Sequence, residues 1–490
     1  MVSRRRLLEL GVLGGGALLL PSAAGAARPT SGHSHPASGH PHRFPFTGST
    51  ATVTPFSVRM PLPPVARPSQ ITTDTDVYQL DMRPIQTEII PGYTTAAYGY
   101  GGSFIGPTIH ARKGRRTAVV QTNRLSDPTA VHVHGGHTPA SSDGYPMDVI
   151  APGKQRRYEY PNLQPATTMW YHDHAHHHEA EHVYRGLAGF YLLHDPDESK
   201  LGLPHGEYDV PIMLRDAQFA SDGSMVFVMD DFENRETVLV NGRPQPYFPV
   251  AARKYRLRIL NATNLRGFQL RLSNGQQFTQ IGSDGGLLAA PYRRDTLKLY
   301  PGERIDVVVD FSRYPVGTQL VLENSLGGSD PNQRLMRFDV VRTESDDSRV
   351  PDQLATIPAL PSATNTRAFA LGMNPATFQF QINGMSFDPN RIDARIKRGT
   401  TEIWRITNLD TLFGIPHNFH VHLVQFKVLD RDGRAPGADE AGWKDTVSVD
   451  PGETVRIQAT FGQYTGKYVY HCHMIDHSAG GMMGQMEVVP

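Results

Sequence analysis

Apolar and polar positions alternate with a period of two in short runs along much of the chain. Clear cases are RIDVVVDF, residues 304–311, and VRIQATF, residues 455–461. Such runs predict extended strands with one face toward a core and the other toward water. Each follows a Pro-Gly turn, Pro301-Gly302 or Pro451-Gly452, and Pro152-Gly153 stands about 150 residues earlier. After these turns a similar passage repeats: alternating strand, aromatic loop, closing strand. A second passage also recurs, as RTAVVQTN from Arg116, KYRLRILNATN from Lys254 and TEIWRITNLD from Thr401. The chain therefore reads as one module written three times. Short strands punctuated by turn signals predict an all-β protein of three sandwich or barrel modules, at 47–200, 201–345 and 364–490. The stretch 346–363, with Pro351, Pro358 and Pro361, reads as a linker.

Length and composition agree with this. A chain of 490 residues has room for two to four domains at ~100–200 residues each. With 46 Gly and 38 Pro it can make many turns. Lys plus Arg and Asp plus Glu balance at 48 each, so nothing favours nucleic acid as a partner. The N-terminus reads as a leader. Arg4-Arg5 precede an apolar run from Leu10 to Leu20, and small residues follow at Ala23 to Ala27. This pattern predicts a twin-arginine-type signal over 1–27, with delivery to the periplasm or the exterior; an ordinary secretory signal is the alternative. The run is too short for a stable membrane span. Residues 28–46, rich in Pro, Ser, Gly and His, read as a disordered linker.

The repeat also indicates where chemistry lies. Twenty residues beyond each Pro-Gly proline stand His172, Val321 and His471. The first and third modules carry His172-Asp173-His174 and His471-Cys472-His473 where the middle one has Val321-Leu322-Glu323. Likewise His420-Val421-His422 corresponds to an apolar stretch near Phe268. The middle module is expected to be a spacer, with metal between the other two.

Four His-X-His pairs stand out: His132/His134, His172/His174, His420/His422 and His471/His473. Residues two apart on a strand share a face, so each pair offers two imidazoles to one site. Convergent neutral imidazoles suit a first-row transition metal, especially copper. Cys472, the only cysteine, would point away from its flanking histidines and bind a different ion. His417, His477 and Met482 complete a set of two His, one Cys and a weak thioether, the blue-copper electron-transfer set. An electron entering there would reach the histidine cluster through the Cys472 backbone and His471 or His473. One blue copper plus a three-copper cluster stores the four electrons that dioxygen reduction needs. His33, His35, His40 and His42, and the run His176, His177, His178 and His182, read as exposed solvated histidines or as copper gatherers.

These residues resemble the multicopper oxidase family, and among its members the bacterial spore-coat-type laccases and bilirubin oxidases. The shared stretches include HVHGGHTPASSDGYP, WYHDH, QIGSDGG, HLVQFKVLDR, GWKDT and HCHMIDHSAGGMM. The resemblance implies three cupredoxin-like Greek-key domains and four coppers per chain. His417, Cys472, His477 and Met482 would hold the type 1 copper. His132 and His420 would hold the type 2 copper. His134, His172, His174, His422, His471 and His473 would hold the type 3 pair. It implies oxidation of phenols, aromatic amines or bilirubin-like tetrapyrroles, with dioxygen as acceptor. A cuprous oxidase for copper tolerance is the alternative.

Two departures carry expectations. Asn418 follows His417 where the family usually has proline, which is expected to loosen that loop. Ser478 follows His477 where many relatives carry a carboxylate. Reduction of dioxygen consumes protons, and Asp143 and Asp476 are the carboxylates available near the ligands. Asp143 is expected to supply much of the relay.

Overall fold

The computed structural model describes residues 51–326 and 333–490. The expected leader, the linker over 28–46 and the histidines at 33–42 lie outside the described residues. No helix among the described residues is long and apolar enough to cross a membrane.

The described strands form six sheets that fall into three facing pairs. In the first pair, Thr75–Thr87 runs parallel to Arg116–Asn123, which pairs antiparallel with Gln155–Tyr160. Asp209–Phe219, Lys254–Asn261 and Arg304–Asp310 repeat that arrangement in the second pair. Asn365–Met373, Thr400–Asn408 and Thr454–Phe461 repeat it in the third. The recurring sequence passages are thus equivalent strands. Residues 346–363 contain no strand and pass along the second sandwich, where the Leu354 amide donates to the Ala289 carbonyl.

Alternation holds where a strand has one wet face, as in Thr454–Phe461, whereas Arg304–Asp310, expected to be half-wet, is buried on both faces save for Asp310. It fails in burial at Val131–His134, Thr167–Asp173 and His417–Val421, where every residue is buried. One face of these strands meets its own core, and the histidine-bearing face meets another sandwich. Each sandwich has an apolar interior; Trp404, Ile406, Phe419 and Tyr470 belong to the third, whose core cluster also takes in Cys472 and Met482.

Candidate metal centre

Strand pairing aligns the histidines. His132 lies opposite His172 in the first sandwich, and His420 opposite His471 in the third. Across the seam His132 stacks on His422 and His134 on His420, each with ring centroids 3.8 Å apart. All eight imidazoles are buried. Their nitrogens converge in three groups, two of which share His422, each with ligand atoms within 4.8 Å of one another: His134, His172 and His473; His174, His422 and His471; His132, His420 and His422.

A carbonyl oxygen can only accept, and this fixes several tautomers. His132 Nδ1 donates to the Asp143 carbonyl (2.6 Å), His172 Nδ1 to the Asp173 carbonyl (2.8 Å) and His420 Nδ1 to the Asp445 carbonyl (2.8 Å). His471 Nδ1 donates to the Cys472 carbonyl at 3.0 Å. Each of these rings then carries its lone pair on Nε2, and for His132, His172 and His420 that atom is buried without a hydrogen-bond partner. His134 is reversed: its Nε2 lies 2.9 Å from the Asp445 carboxylate, and its Nδ1 faces the cluster. Burial pushes His172 down to about 3 and His471 to about 4. Burial and then neighbouring imidazoles hold His174 and His473 well below the usual histidine range. An unpaired buried polar nitrogen costs ~1–3 kcal/mol. Neutral lone pairs gathered on one point lose that penalty when they coordinate a cation, so the donor set fits copper.

A second group lies apart from the first. Cys472 Sγ is 3.6 Å from His417 Nδ1 and 3.7 Å from His477 Nδ1, all three residues buried. The Met482 carbonyl accepts from the Cys472 amide (3.1 Å), and the Met482 amide donates to the His477 carbonyl (2.9 Å). The Met482 side chain is fully buried in the same core as Cys472. His417 Nε2 lies 2.6 Å from the Asp410 carboxylate. Burial opposes a charge on His417, but Asp410 and the Cys472 sulfur outweigh it and raise the ring to about 9. The Asp410 carboxylate that draws a proton to this ring also favours a cation at Nδ1.

Known proteins decide what this pair of sites is. Residues 82–198, 215–334 and 357–490 each match the family described as multicopper oxidase. A laccase of Bacillus subtilis is 36% identical over 516 residues, spanning 89% of this chain and 99% of that one. A bilirubin oxidase of Albifimbria verrucaria is 37% identical over 465 residues, spanning 87% and 80%. The crystal structure of a Pediococcus acidilactici laccase superposes with a TM-score of 0.83 at 33% identity, covering 90% of this chain and 95% of that one.

The chain belongs to the multicopper oxidase family.

As a multicopper oxidase it has three cupredoxin-like domains, binds four copper ions and uses dioxygen as the acceptor for a reducing substrate. The oxidase's middle sandwich is more than the expected spacer. Its Arg304, fully buried, makes a two-pronged ion pair with Asp445 at 2.6 and 2.7 Å. Asp445 in turn holds His134 through its carboxylate and His420 through its carbonyl. Gly302 of the same sandwich lies so close that a Cβ there would be 2.9 Å from the His473 ring. The indole of Trp170 lies 4.2 Å from the His172 ring. Sequence reasoning missed Arg304, Asp445 and Trp170 as supports, although GWKDT and WYHDH contain two of them.

Two expectations need correction. Asn418 does not loosen its loop: it is fully buried in His417–Val421 and donates to the Pro301 carbonyl at 2.5 Å. Asp476 is no catalytic carboxylate by its contacts. Arg235 Nη2 (2.7 Å), the Asp230 amide (2.8 Å) and Asn264 Nδ2 (2.7 Å) occupy both its oxygens. Asp143 touches the ligands directly: its carbonyl aims His132, its carboxyl lies 2.8 Å from His422 Nδ1, and burial raises that carboxyl well above the usual carboxylate range. The carboxyl beside Ser478 is Glu179, not singled out from the sequence. Its Oε1 lies 3.5 Å from Ser478 Oγ, and burial pushes it up to about 8. It reaches this place because the helix Glu179–Arg185 packs on the helix Ile475–Ala479.

Proposed function

We propose that this oxidase is an exported, laccase-like enzyme that takes electrons singly from phenols, aromatic amines or bilirubin-like tetrapyrroles. In this reading His417, Cys472, His477 and Met482 hold the type 1 copper. His132 and His420 hold the type 2 copper, and the other six paired histidines hold the type 3 pair. The three domains run at 47–200, 201–345 and 364–490, with 346–363 as the linker. When bound, copper supplies one-electron acceptance from the reducing substrate and reduction of dioxygen to water.

The observation that carries the substrate reading is the rim beside Cys472. Phe380 stacks on the His477 ring at 3.8 Å, and Leu409 and Leu412 on the neighbouring loop are 59% and 80% exposed. Exposed apolar side chains of this kind favour a flat apolar substrate over a hydrated ion. Asp410 fixes His417 from behind. Cys472 joins His471 and His473 by peptide bonds, a short covalent route between the two ligand groups. At neutral pH Glu179 holds a proton at its carboxyl next to the Ser478 hydroxyl, which can pass it along. The Arg4-Arg5 leader pattern supports export.

Met385, an exposed thioether on the turn after Phe380, favours the second reading, oxidation of Cu(I). Oxygen uptake by the copper-loaded protein with phenols, bilirubin and Cu(I) separates the two. Faster turnover of the organic substrates supports the laccase-like reading. Turnover of Cu(I) alone overturns it.

A further inference from the structure

The histidine run 176–182 is not the solvated tract that its composition suggests. His182 is buried, and His176 and His178 are half-buried, while His177 is exposed. We propose that Asp127, His178 and His182 form a further metal site, separate from the four coppers, that takes a divalent first-row transition cation and prefers Cu2+.

The helix Glu179–Arg185 builds the site. His178 stands at its N-terminal boundary, and the His182 amide donates to the His178 carbonyl at 2.9 Å. That one-turn spacing puts both rings on the same side, with centroids 5.5 Å apart. Asp127 comes from the loop after Arg116–Asn123. Asn123 Nδ2 donates to its carbonyl at 2.8 Å, and Ser126 Oγ donates to its Oδ2 at 3.0 Å. One ligand atom from each of the three residues lies within 4.8 Å of the others. Bonds of about 2.0–2.2 Å to a shared ion require these atoms to draw together slightly. Asp127 and His178, only half-buried, have room to do so.

The chemistry favours a cation. Burial holds His178 below the ordinary histidine value, so its ring is neutral near pH 7 and ready to coordinate. His182 Nδ1 lies 3.3 Å from the buried Asp173 carboxylate. Burial opposes a proton on His182, but Asp173, Asp127 and Glu181 outweigh it and raise the ring. Charges that draw a proton there also draw a metal ion. Glu181 is itself paired with Arg185, which leaves Asp127 as the carboxylate facing the site from the loop. Two imidazoles and one carboxylate, with room for water on the half-buried side, suit Cu2+ above Zn2+ in the usual affinity order.

Zn2+ is the first probe. Protein already carrying its four coppers is dialysed against Zn2+, and bound zinc is measured by elemental analysis. Wild type is expected to hold one zinc more than Asp127→Asn or His178→Ala, with copper content and blue absorption equal in all three. Added Cu2+ is expected to displace that zinc and to give a further nitrogen-coordinated Cu(II) paramagnetic signal, absent from both variants. Equal zinc in wild type and variants overturns the site. Zinc that excess Cu2+ leaves in place overturns the preference for copper.

Discussion

Gly302→Ala probes how tightly the middle domain bears on the histidine cluster, and the threefold repeat supplies its control. Gly302 has φ +85°, and an added Cβ would lie 2.9 Å from Cγ and Nδ1 of His473 and 3.1 Å from Cε1 of His134. Gly153 is the same turn in the first module, with φ +73° and nothing within 4 Å of an added Cβ. Both substitutions force a side chain into the left-handed region, at ~1–2 kcal/mol. For domains of this size each kcal/mol lowers Tm by ~2–4 °C, so both variants should melt about 2–8 °C early. Only Gly302→Ala adds a clash. Restoring ordinary contact at ~3.5 Å moves the His473 ring by about 0.6 Å, whereas metal–ligand distances tolerate about 0.2 Å. Gly302→Ala should therefore lose copper from the cluster and most oxygen uptake, while Gly153→Ala keeps both. Copper per chain by elemental analysis and an oxygen electrode read the outcome. Full copper and wild-type uptake in Gly302→Ala would refute the close approach.

The Arg304 clamp gives a larger effect. Arg304→Leu leaves Asp445 buried without its cation, while Asp284 keeps Lys444, a change that costs about 3–5 kcal/mol; a Tm lower by less than about 3 °C, with cluster copper intact, would count against it. Glu179 makes stability depend on pH. Burial lifts its carboxyl from 4.5 to about 8, so the folded chain keeps a proton that the unfolded chain releases. Its contribution is present below about 4.5 and is lost as pH rises through about 8, at ~1.4 kcal/mol per unit. Glu179→Gln, neutral throughout, should lose less Tm than wild type between pH 6 and pH 9; equal losses would show that Glu179 is ionised at neutral pH. Met482→Leu should raise the reduction potential of the copper at Cys472, because a thioether donor stabilises Cu(II) relative to a hydrocarbon. An unchanged or lower potential in a redox titration would remove Met482 from the axial position.

The features legible in the sequence are those set by local geometry. A period of two both made the strands visible and put His132 with His134, and His471 with His473, on common faces. The repeat then exposed which module lacks histidines. Contacts between distant segments left no such trace. Arg304 and Asp445 are 141 positions apart, and Glu179 and Ser478 are 299 apart. Asn418 looked like a weak point because a proline was expected, but its amide finds a carbonyl on another domain. His182 looked solvated because composition says nothing about which side of a short helix is packed. The middle domain looked inert because it carries no paired histidines, yet its Arg304 holds Asp445, which in turn holds His134 and His420.

The central claim is that Cys472 supplies its thiolate to one copper site while the paired histidines serve another. Copper analysis and visible absorption of Cys472→Ser test it together. This variant is expected to hold about three coppers per chain in place of four, with no intense blue absorption and no oxidation of phenols above background. A Cys472→Ser protein that stays intensely blue, or that oxidises phenols at the wild-type rate, would contradict it.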